Sequence, residues 1–161
     1  MSGGPMAEEE KSQKIIMLFV SIGFVGLLVV PALDHRFVWS SVPSYIVIAG
    51  DVLTMVGFCA VFRVYRENSF SSARIEASPG QTVISTGLYA IVRHPMYAGS
   101  LLYLIGTPLG LGSYWGLVVP AAMMPFLVWR LFDEERFLSK NLPGYTEYCT
   151  KVRWRLMPGV F

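Results

Sequence analysis

The chain of 161 residues is 53% hydrophobic and only 15% charged, with a mean hydropathy of +0.50, which is typical of integral membrane proteins and not of soluble ones. Its formal net charge of +2, with no basic tract interleaved with aromatic residues, argues against a nucleic-acid-binding protein. Two cysteines, Cys59 and Cys149, cannot make a disulfide framework, and we expect two free thiols.

Two apolar segments predict two transmembrane helices within residues 14–62. Residues 1–13 form a polar tail without the basic start of a signal peptide, so we expect the apolar segment that follows to remain as an anchor. That segment, Ile15–Leu33, carries no charge and approaches the ~20 residues that a bilayer requires. The second segment, Val42–Phe62, follows a short polar turn at Asp34–Arg36.

Small residues and one carboxylate lie within these apolar segments. Asp51 is a functional candidate by default at such a position, although an interhelical hydrogen bond helped by Thr54 is the more ordinary role. Small residues let two helix backbones approach closely in a membrane. We therefore expect the first two helices to pack on each other through Gly23, Gly26, Gly50, Gly57 and Ala60.

Three further regions complete the predicted architecture. Residues 63–95 are too rich in Ser, Pro and Gly to be a span, and their arginines indicate a cytoplasmic loop by the positive-inside rule. These arginines are Arg63, Arg66, Arg74 and Arg93. Residues 96–132 predict a helical hairpin, and residues 133–161 predict a helical tail that breaks at Leu142–Gly144 and ends at Pro158.

Together these elements predict an all-α fold in a single membrane domain. It is an integral membrane helical bundle of about four transmembrane helices with a cytoplasmic helical C-terminal tail. Four crossings place both termini and the 63–95 loop on the cytoplasmic side.

One short stretch combines a cation, a titratable ring, a helix start and a glycine: Arg93-His94-Pro95-Met96-Tyr97-Ala98-Gly99. Proline suits the first helical position, so a helix should begin at Pro95. The free amides of its first turn point back toward Arg93 and His94, where the helix dipole favours an anion. The stretch therefore predicts a small anion pocket at a helix mouth, with His94 either a structural cap or a neutral hydrogen-bonding ligand.

Arg130 and Glu134 are four residues apart on the predicted fourth helix, so they share one face. Two interpretations stay open. The pair is either a weak solvated ion pair, or a divided site in which Arg130 meets an anionic group of a lipid-embedded substrate while Glu134 accepts hydrogen bonds from a polar cofactor. Glu135 lies about 100° away on the helix and is expected to support such a site rather than contact a ligand.

The remaining candidates are weaker. No spacing of Cys, His and carboxylates matches a metal site, and the same absence argues against serine or cysteine hydrolase chemistry. Several tyrosines form either an interfacial belt or walls for a purine ring or a sulfonium. They are Tyr89, Tyr97, Tyr145 and Tyr148.

From about Arg74 to Phe161 the chain resembles the isoprenylcysteine carboxyl methyltransferase family, integral membrane enzymes that use S-adenosylmethionine and are related to phospholipid methyltransferases. Thr86-Gly87-Leu88-Tyr89, followed by the Arg93–Gly99 stretch, resembles the family's G-x-Y…R-H-P-x-Y-x-G signature. A second group of residues resembles the family's other signature. It consists of Glu134-Glu135, followed by Tyr145, Tyr148 and Val152, and it ends in Pro158.

The resemblance implies a site for S-adenosyl-L-methionine. The cofactor-binding residues it implies are Gln81, Thr82, Val83, Ile84, Tyr89, His94, Pro95, Met96, Tyr97 and Glu134. It also implies that Arg130 faces the substrate as the catalytic residue, with Arg153 or Arg155 in a second substrate-binding position.

The resemblance therefore predicts a methyltransferase acting on a lipophilic or prenylated acceptor among membrane lipids, with the carboxylate of an isoprenylcysteine or a similar compound favoured. A carboxylate is ionised at neutral pH and needs no general base, which suits the shortage of candidate bases in the chain. Three alternatives stay open: a phospholipid or amine N-methyltransferase, a dinucleotide-dependent membrane reductase, and a non-enzymatic small membrane protein.

Overall fold

The computed structural model describes residues 5–68 and 81–161, with side chains from residue 13 onward. Arg74 of the predicted loop lies outside the described residues. Within them the chain is helical and contains no strand. The helices are α1 (Pro5–Phe37), α2 (Ser44–Glu67), α3 (Pro95–Gly110), α4 (Val118–Asn141) and α5 (Tyr145–Lys151), and short 3₁₀ turns cover Gly87–Ala90 and Trp115–Leu117.

Three helical segments of the described chain are long and apolar enough to cross a membrane. They are Gln13–Phe37, Ser44–Glu67 and Trp115–Asn141. The remaining predicted span, α3, has 16 residues. At ~1.5 Å per residue it is roughly 24 Å long, which is shorter than the ~30 Å hydrocarbon core of a bilayer.

The chain divides into two compact units, each built from parts of several helices. Unit 1 comprises residues 1–52 and 104–130, and unit 2 comprises residues 53–103 and 131–161. All of the residues predicted to bind the cofactor belong to unit 2, whereas Arg130 belongs to unit 1. A single membrane domain stays a prediction.

In unit 1, α1 does not stop at the predicted polar turn but continues through Asp34 to Phe37. Asp34 is only 1% exposed. Its carboxylate accepts hydrogen bonds from the Ser40 amide at 2.7 Å, from the Ser40 hydroxyl at 2.6 Å and from the Ser113 hydroxyl. These donors replace water around the carboxylate, so the residue expected in a short polar turn is instead buried within the fold.

The glycines expected to join the first two helices have other partners. In unit 1, Gly50 of α2 packs against the backbone of α3 at Gly110, and Gly23 of α1 packs against Met123 of α4. In unit 2, Gly57 of α2 also meets the backbone of α3. The prediction of close approach is confirmed at these positions. The predicted pairing of α1 with α2 is wrong, because these small residues pack against α3 and α4.

The hairpin and the tail follow the sequence in most respects. α3 begins at Pro95, and the predicted break between α4 and α5 is present at residues 142–144. Gly144 adopts a left-handed φ of 83°, which a glycine does without strain. The prediction that the tail helix ends at Pro158 is wrong, because α5 ends at Lys151 and Val152 is extended.

Candidate functional site

Glu135 is the centre of a charged cluster in unit 2. Its Oε1 lies 3.0 Å from Arg93 Nη1 and 3.3 Å from His94 Nε2, and its Oε2 accepts a hydrogen bond of 2.9 Å from Arg155 Nε. The Glu135 and Arg93 side chains are only 12% and 9% exposed. Poorly hydrated ions of opposite sign need one another, so these contacts keep the two arginines and the carboxylate charged and in place.

Main-chain hydrogen bonds hold the C-terminal segment against the start of α3. The Arg93 amide donates to the Trp154 carbonyl at 2.8 Å, and the His94 amide donates to the Arg155 carbonyl at 2.9 Å. A continuing helix would use these carbonyls within itself. The chain therefore leaves the helix at Val152, which is extended, and α5 ends earlier than the sequence predicts.

The anion at the mouth of α3 is a carboxylate of the chain itself, Glu135. Arg93 and His94 meet it there, as the motif predicts for an anion, but the pair is intramolecular. His94 is 4% exposed, and its carbonyl accepts a hydrogen bond of 3.1 Å from the Ala98 amide. In this structure His94 thus closes the first turn of α3 and also contacts Glu135, which favours the structural-cap interpretation.

Glu134 has a different environment from its neighbour Glu135. The Tyr97 hydroxyl donates a hydrogen bond of 2.7 Å to Glu134 Oε2. The Tyr97 ring packs edge to face on the His94 ring, with 5.6 Å between centroids. Within the described residues no cation forms an ion pair with Glu134, so its negative charge remains available for a cationic or hydrogen-bond-donating ligand.

Burial and neighbouring groups together set the protonation states of this cluster. Burial alone would lower the pKa of Arg93, but Cys149 and the Glu135 carboxylate raise it, and the guanidinium stays charged. Burial also raises the pKa of the Tyr145 phenol and that of the Tyr148 phenol. Both hydroxyls are consequently neutral donors at physiological pH.

Two of the tyrosines expected in a belt or a ligand wall lie in the core of unit 2. Tyr145 and Tyr148 are buried together with Leu142 and Val152, and Val83 packs against this cluster. The Tyr148 hydroxyl donates to the Tyr89 carbonyl at 2.7 Å. The tail helix therefore anchors the segment that contains Val83 and the 3₁₀ turn that contains Tyr89.

The predicted cofactor residues are all at least partly buried except Thr82, which is exposed. Direct contacts join His94, Tyr97 and Glu134. Gln81–Ile84 form an irregular segment, and the Tyr89 hydroxyl accepts a hydrogen bond of 2.8 Å from Asn68. Pro95 and Met96 open α3.

The three predicted substrate-binding arginines have separate settings. Arg130 of unit 1 donates a hydrogen bond of 2.7 Å from Nη1 to Gln13 Oε1. In unit 2, Arg155 joins the Glu135 cluster and lies over the rings of Phe132 and Phe161, 5.4 and 5.3 Å from their centroids. Arg153 is exposed, with its guanidinium over the adjacent Trp154 ring.

Sequence reasoning missed the threefold role of Glu135 and the choice of Arg155 over Arg153 as its partner. Adjacent acidic residues after the Arg93 motif were a visible signal, but no local spacing relates residues 93, 135 and 155. Among residues 13–68 and 81–161, no group of three or more His, Cys, Asp and Glu side chains is placed to hold a metal ion.

Residues 45–143, more than half of the chain, match the family described as phospholipid methyltransferase. The chain belongs to this family. Its relatives include protein-S-isoprenylcysteine O-methyltransferase B of Arabidopsis thaliana, which is 25% identical over 149 residues, covering 88% of this chain and 72% of that protein. A delta(14)-sterol reductase of Mus musculus is 30% identical over 90 residues, covering 54% of this chain and 22% of that protein.

The solved structure of a eukaryotic intramembrane Ras methyltransferase, isoprenylcysteine carboxyl methyltransferase, matches this phospholipid methyltransferase family member with a TM-score of 0.70 and 22% identity. The match covers 88% of this chain and 52% of that chain, so this chain spans about half the length of the solved relative. The predicted resemblance and the all-α integral membrane fold are confirmed.

Proposed function

We propose that the chain is a membrane methyltransferase that uses S-adenosyl-L-methionine and acts on the carboxylate of an isoprenylcysteine or a similar lipophilic compound. Its family and its isoprenylcysteine O-methyltransferase relatives support methyl transfer. The observation that carries the proposal is the Tyr97–Glu134 contact beside the buried start of α3. This contact places the Glu134 carboxylate, which has no cationic partner among the described residues, next to the Tyr97 and His94 rings.

The residues of unit 2 fit a sulfonium nucleoside. Aromatic faces and a carboxylate attract a cation, so Tyr97 and Glu134 would hold the donor, with His94 and the segment Gln81–Ile84 around it. When bound, the cofactor supplies an electrophilic methyl group. The task of the chain is then to hold donor and acceptor close and aligned.

The protonation states of the cluster favour a carboxylate over an amine as acceptor. An amine at neutral pH must lose a proton before it can attack, which requires a general base. Glu135 is engaged by two arginines and His94, and Glu134 is assigned to the donor in this proposal. The Tyr145 and Tyr148 phenols are neutral because burial raises the pKa of each. An acceptor that is already ionised avoids this requirement.

We further propose that Arg130 binds the anionic group of the acceptor, and that this acceptor reaches it laterally from membrane lipids. In this proposal both termini and the 63–95 loop are cytoplasmic, which gives a water-soluble donor access to the predicted cofactor residues. Arg153 or Arg155 remains the candidate for a second substrate contact, and Arg155 is the one held beside Glu135.

A radiolabelled methyl-transfer assay on the full chain in lipid nanodiscs tests this function. We expect label on the carboxylate of a farnesylcysteine analogue and none on phosphatidylethanolamine. Arg130→Ala should mainly raise the KM for the acceptor, whereas Glu134→Gln and His94→Ala should mainly weaken donor binding. Arg136→Ala is the matched control, because Arg136 lies on the same helix but is exposed and paired with Asp133. Equal donor binding by all these variants would contradict the assignment.

A dinucleotide-dependent reductase is the second candidate, because delta(14)-sterol reductases of Mus musculus and Arabidopsis thaliana share about half of this chain's length at 30% and 31% identity. Titration with NADPH and with S-adenosylmethionine separates the two functions. Binding of NADPH alone would replace the methyltransferase proposal with this one.

A further inference from the structure

Two buried side-chain donors of unit 2 have no hydrogen-bond partner among the described residues: Arg93 Nε and the Tyr145 hydroxyl. Tyr145 is only 4% exposed, so solvent does not serve its hydroxyl. Folded proteins satisfy nearly all buried polar groups, and a retained exception calls for a specific explanation. These two atoms are the only such exceptions found in the described side chains.

Both donors lie in unit 2 on either side of Cys149, since the Arg93 side chain interacts with Cys149 and Cys149 packs against the core cluster that contains Tyr145. They require the same kind of partner. The charge of Arg93 acts on the Tyr145 phenol, as do those of Glu134 and Glu135. The Nε–H of a guanidinium can only donate, and a neutral phenol donates its O–H readily. Beside a buried cation, the complementary group is an oxygen acceptor with negative charge.

Two neighbouring tyrosine hydroxyls of the same unit have hydrogen-bond acceptors, unlike the hydroxyl of Tyr145. The Tyr148 hydroxyl, three residues further along α5, donates to the Tyr89 carbonyl at 2.7 Å, and the Tyr97 hydroxyl donates to Glu134 at 2.7 Å. The tail helix therefore presents one satisfied and one unsatisfied buried phenol. Only the unsatisfied one lacks an internal acceptor in the described chain.

We propose that the Tyr145 hydroxyl and Arg93 Nε form a subsite that binds the carboxylate of a small zwitterionic ligand. The proposal rests on the proposed function, in which the ligand is the methyl donor and the carboxylate is that of its amino-acid end. Glu134, which has no cationic partner in the described residues, suits the ammonium of the same amino acid. Tyr145 is then a specificity-determining residue that distinguishes the complete donor from nucleosides lacking the carboxylate.

The test compares two nucleosides by isothermal titration calorimetry on the full chain in nanodiscs. These are S-adenosylhomocysteine and its decarboxylated counterpart, S-adenosyl thiopropylamine. The unmodified chain should bind the carboxylate-bearing nucleoside about tenfold more tightly, as expected for one or two hydrogen bonds to a charged group. Tyr145→Phe should abolish this preference while leaving affinity for the decarboxylated nucleoside unchanged.

Tyr148→Phe is the matched control, because it removes the same atom from a hydroxyl that already has a partner. It should keep the tenfold preference and lower the unfolding temperature of the ligand-free protein. Tyr145→Phe should leave that temperature unchanged or raise it, since no internal hydrogen bond is lost.

Several outcomes would overturn the assignment. A preference retained in Tyr145→Phe, or a ligand-free Tyr145→Phe protein as destabilised as Tyr148→Phe, would show that the hydroxyl serves the fold and not a ligand. Equal binding of both nucleosides by the unmodified chain would also refute the subsite, with the proposed function intact. If the unmodified chain bound neither nucleoside, the subsite and the proposed function would fall together.

Discussion

Each unit of the molecule buries a carboxylate, and the two carboxylates have opposite kinds of partner. Asp34 of unit 1 accepts hydrogen bonds from hydroxyls and an amide. Glu135 of unit 2 is met by two guanidiniums and an imidazole. Neutral donors stabilise the Asp34 carboxylate without adding charge. The cationic partners of Glu135 instead form a group of several charged side chains.

The difference separates a carboxylate that stabilises the fold from one that lies in the proposed ligand-binding region. The hydrogen bonds of Asp34 lie near the end of α1 and connect this helix to the segments that contain Ser40 and Ser113. The Glu135 cluster fixes the start of α3 and the C-terminal segment, beside a second carboxylate without a cationic partner in the described chain.

Replacing Glu135 by Gln should cause the largest loss. Arg93 would be left buried without its counter-ion, and we expect the free energy of unfolding to fall by about 2–3 kcal/mol, since Arg155 is partly exposed and the amide oxygen still accepts one hydrogen bond. Chemical denaturation in detergent micelles measures the change. Glu147→Gln removes an exposed pair with Lys151 and should leave stability unchanged; an equal loss there would refute the role of burial.

Replacing Gly57 by Ala should destabilise unit 2 by about 1–2 kcal/mol, because the added Cβ would lie 2.6 Å from the Tyr103 backbone nitrogen, which cannot move aside easily. Thermal unfolding in micelles checks this result. Gly26→Ala of unit 1 is the control, since its Cβ would meet the Val119 side chain at 3.3 Å. A smaller loss at Gly57 than at Gly26 would contradict the packing described for α2 and α3.

Replacing Asp34 by Asn should have a smaller effect than either change. The amide oxygen still accepts from Ser40 or Ser113, and no cation is left without its partner. We expect a modest fall in unfolding temperature with methyl transfer unchanged. Loss of methyl transfer at full stability would make Asp34 a functional residue and remove the contrast between the two carboxylates.

Alkaline pH should produce the smallest effect, through two buried phenols of unit 2. Burial raises the pKa of Tyr145 and of Tyr148 above the ordinary value of 10.0, so the unfolded chain loses these protons first. Stability contributed by the neutral phenols is complete below about pH 10 and declines as pH rises above it. Unfolding temperatures between about pH 9 and 11 measure the decline, which the Tyr145→Phe/Tyr148→Phe double variant should reduce.

Much of the local structure around the candidate site was predictable because its signals are local. Pro95 opens a helix whatever surrounds it, since its fixed φ and missing N–H suit only the first turn. Gly144 marks the break before α5 for a similar conformational reason. The role of Glu135 was predictable only in outline, because residues 93, 135 and 155 are remote in sequence.

The amino-acid sequence by itself determined that the chain is helical, that it belongs in a membrane and that a polar motif opens α3, because hydropathy, periodicity and proline chemistry act over a few neighbouring residues. Only the tertiary structure decided which charge meets which. Glu135 takes Arg155 and not Arg153, Asp34 is buried and not solvated, and Tyr145 lacks the internal acceptor that Tyr148 has. Such choices depend on where distant segments meet, and the low polarity of the interior makes each one consequential.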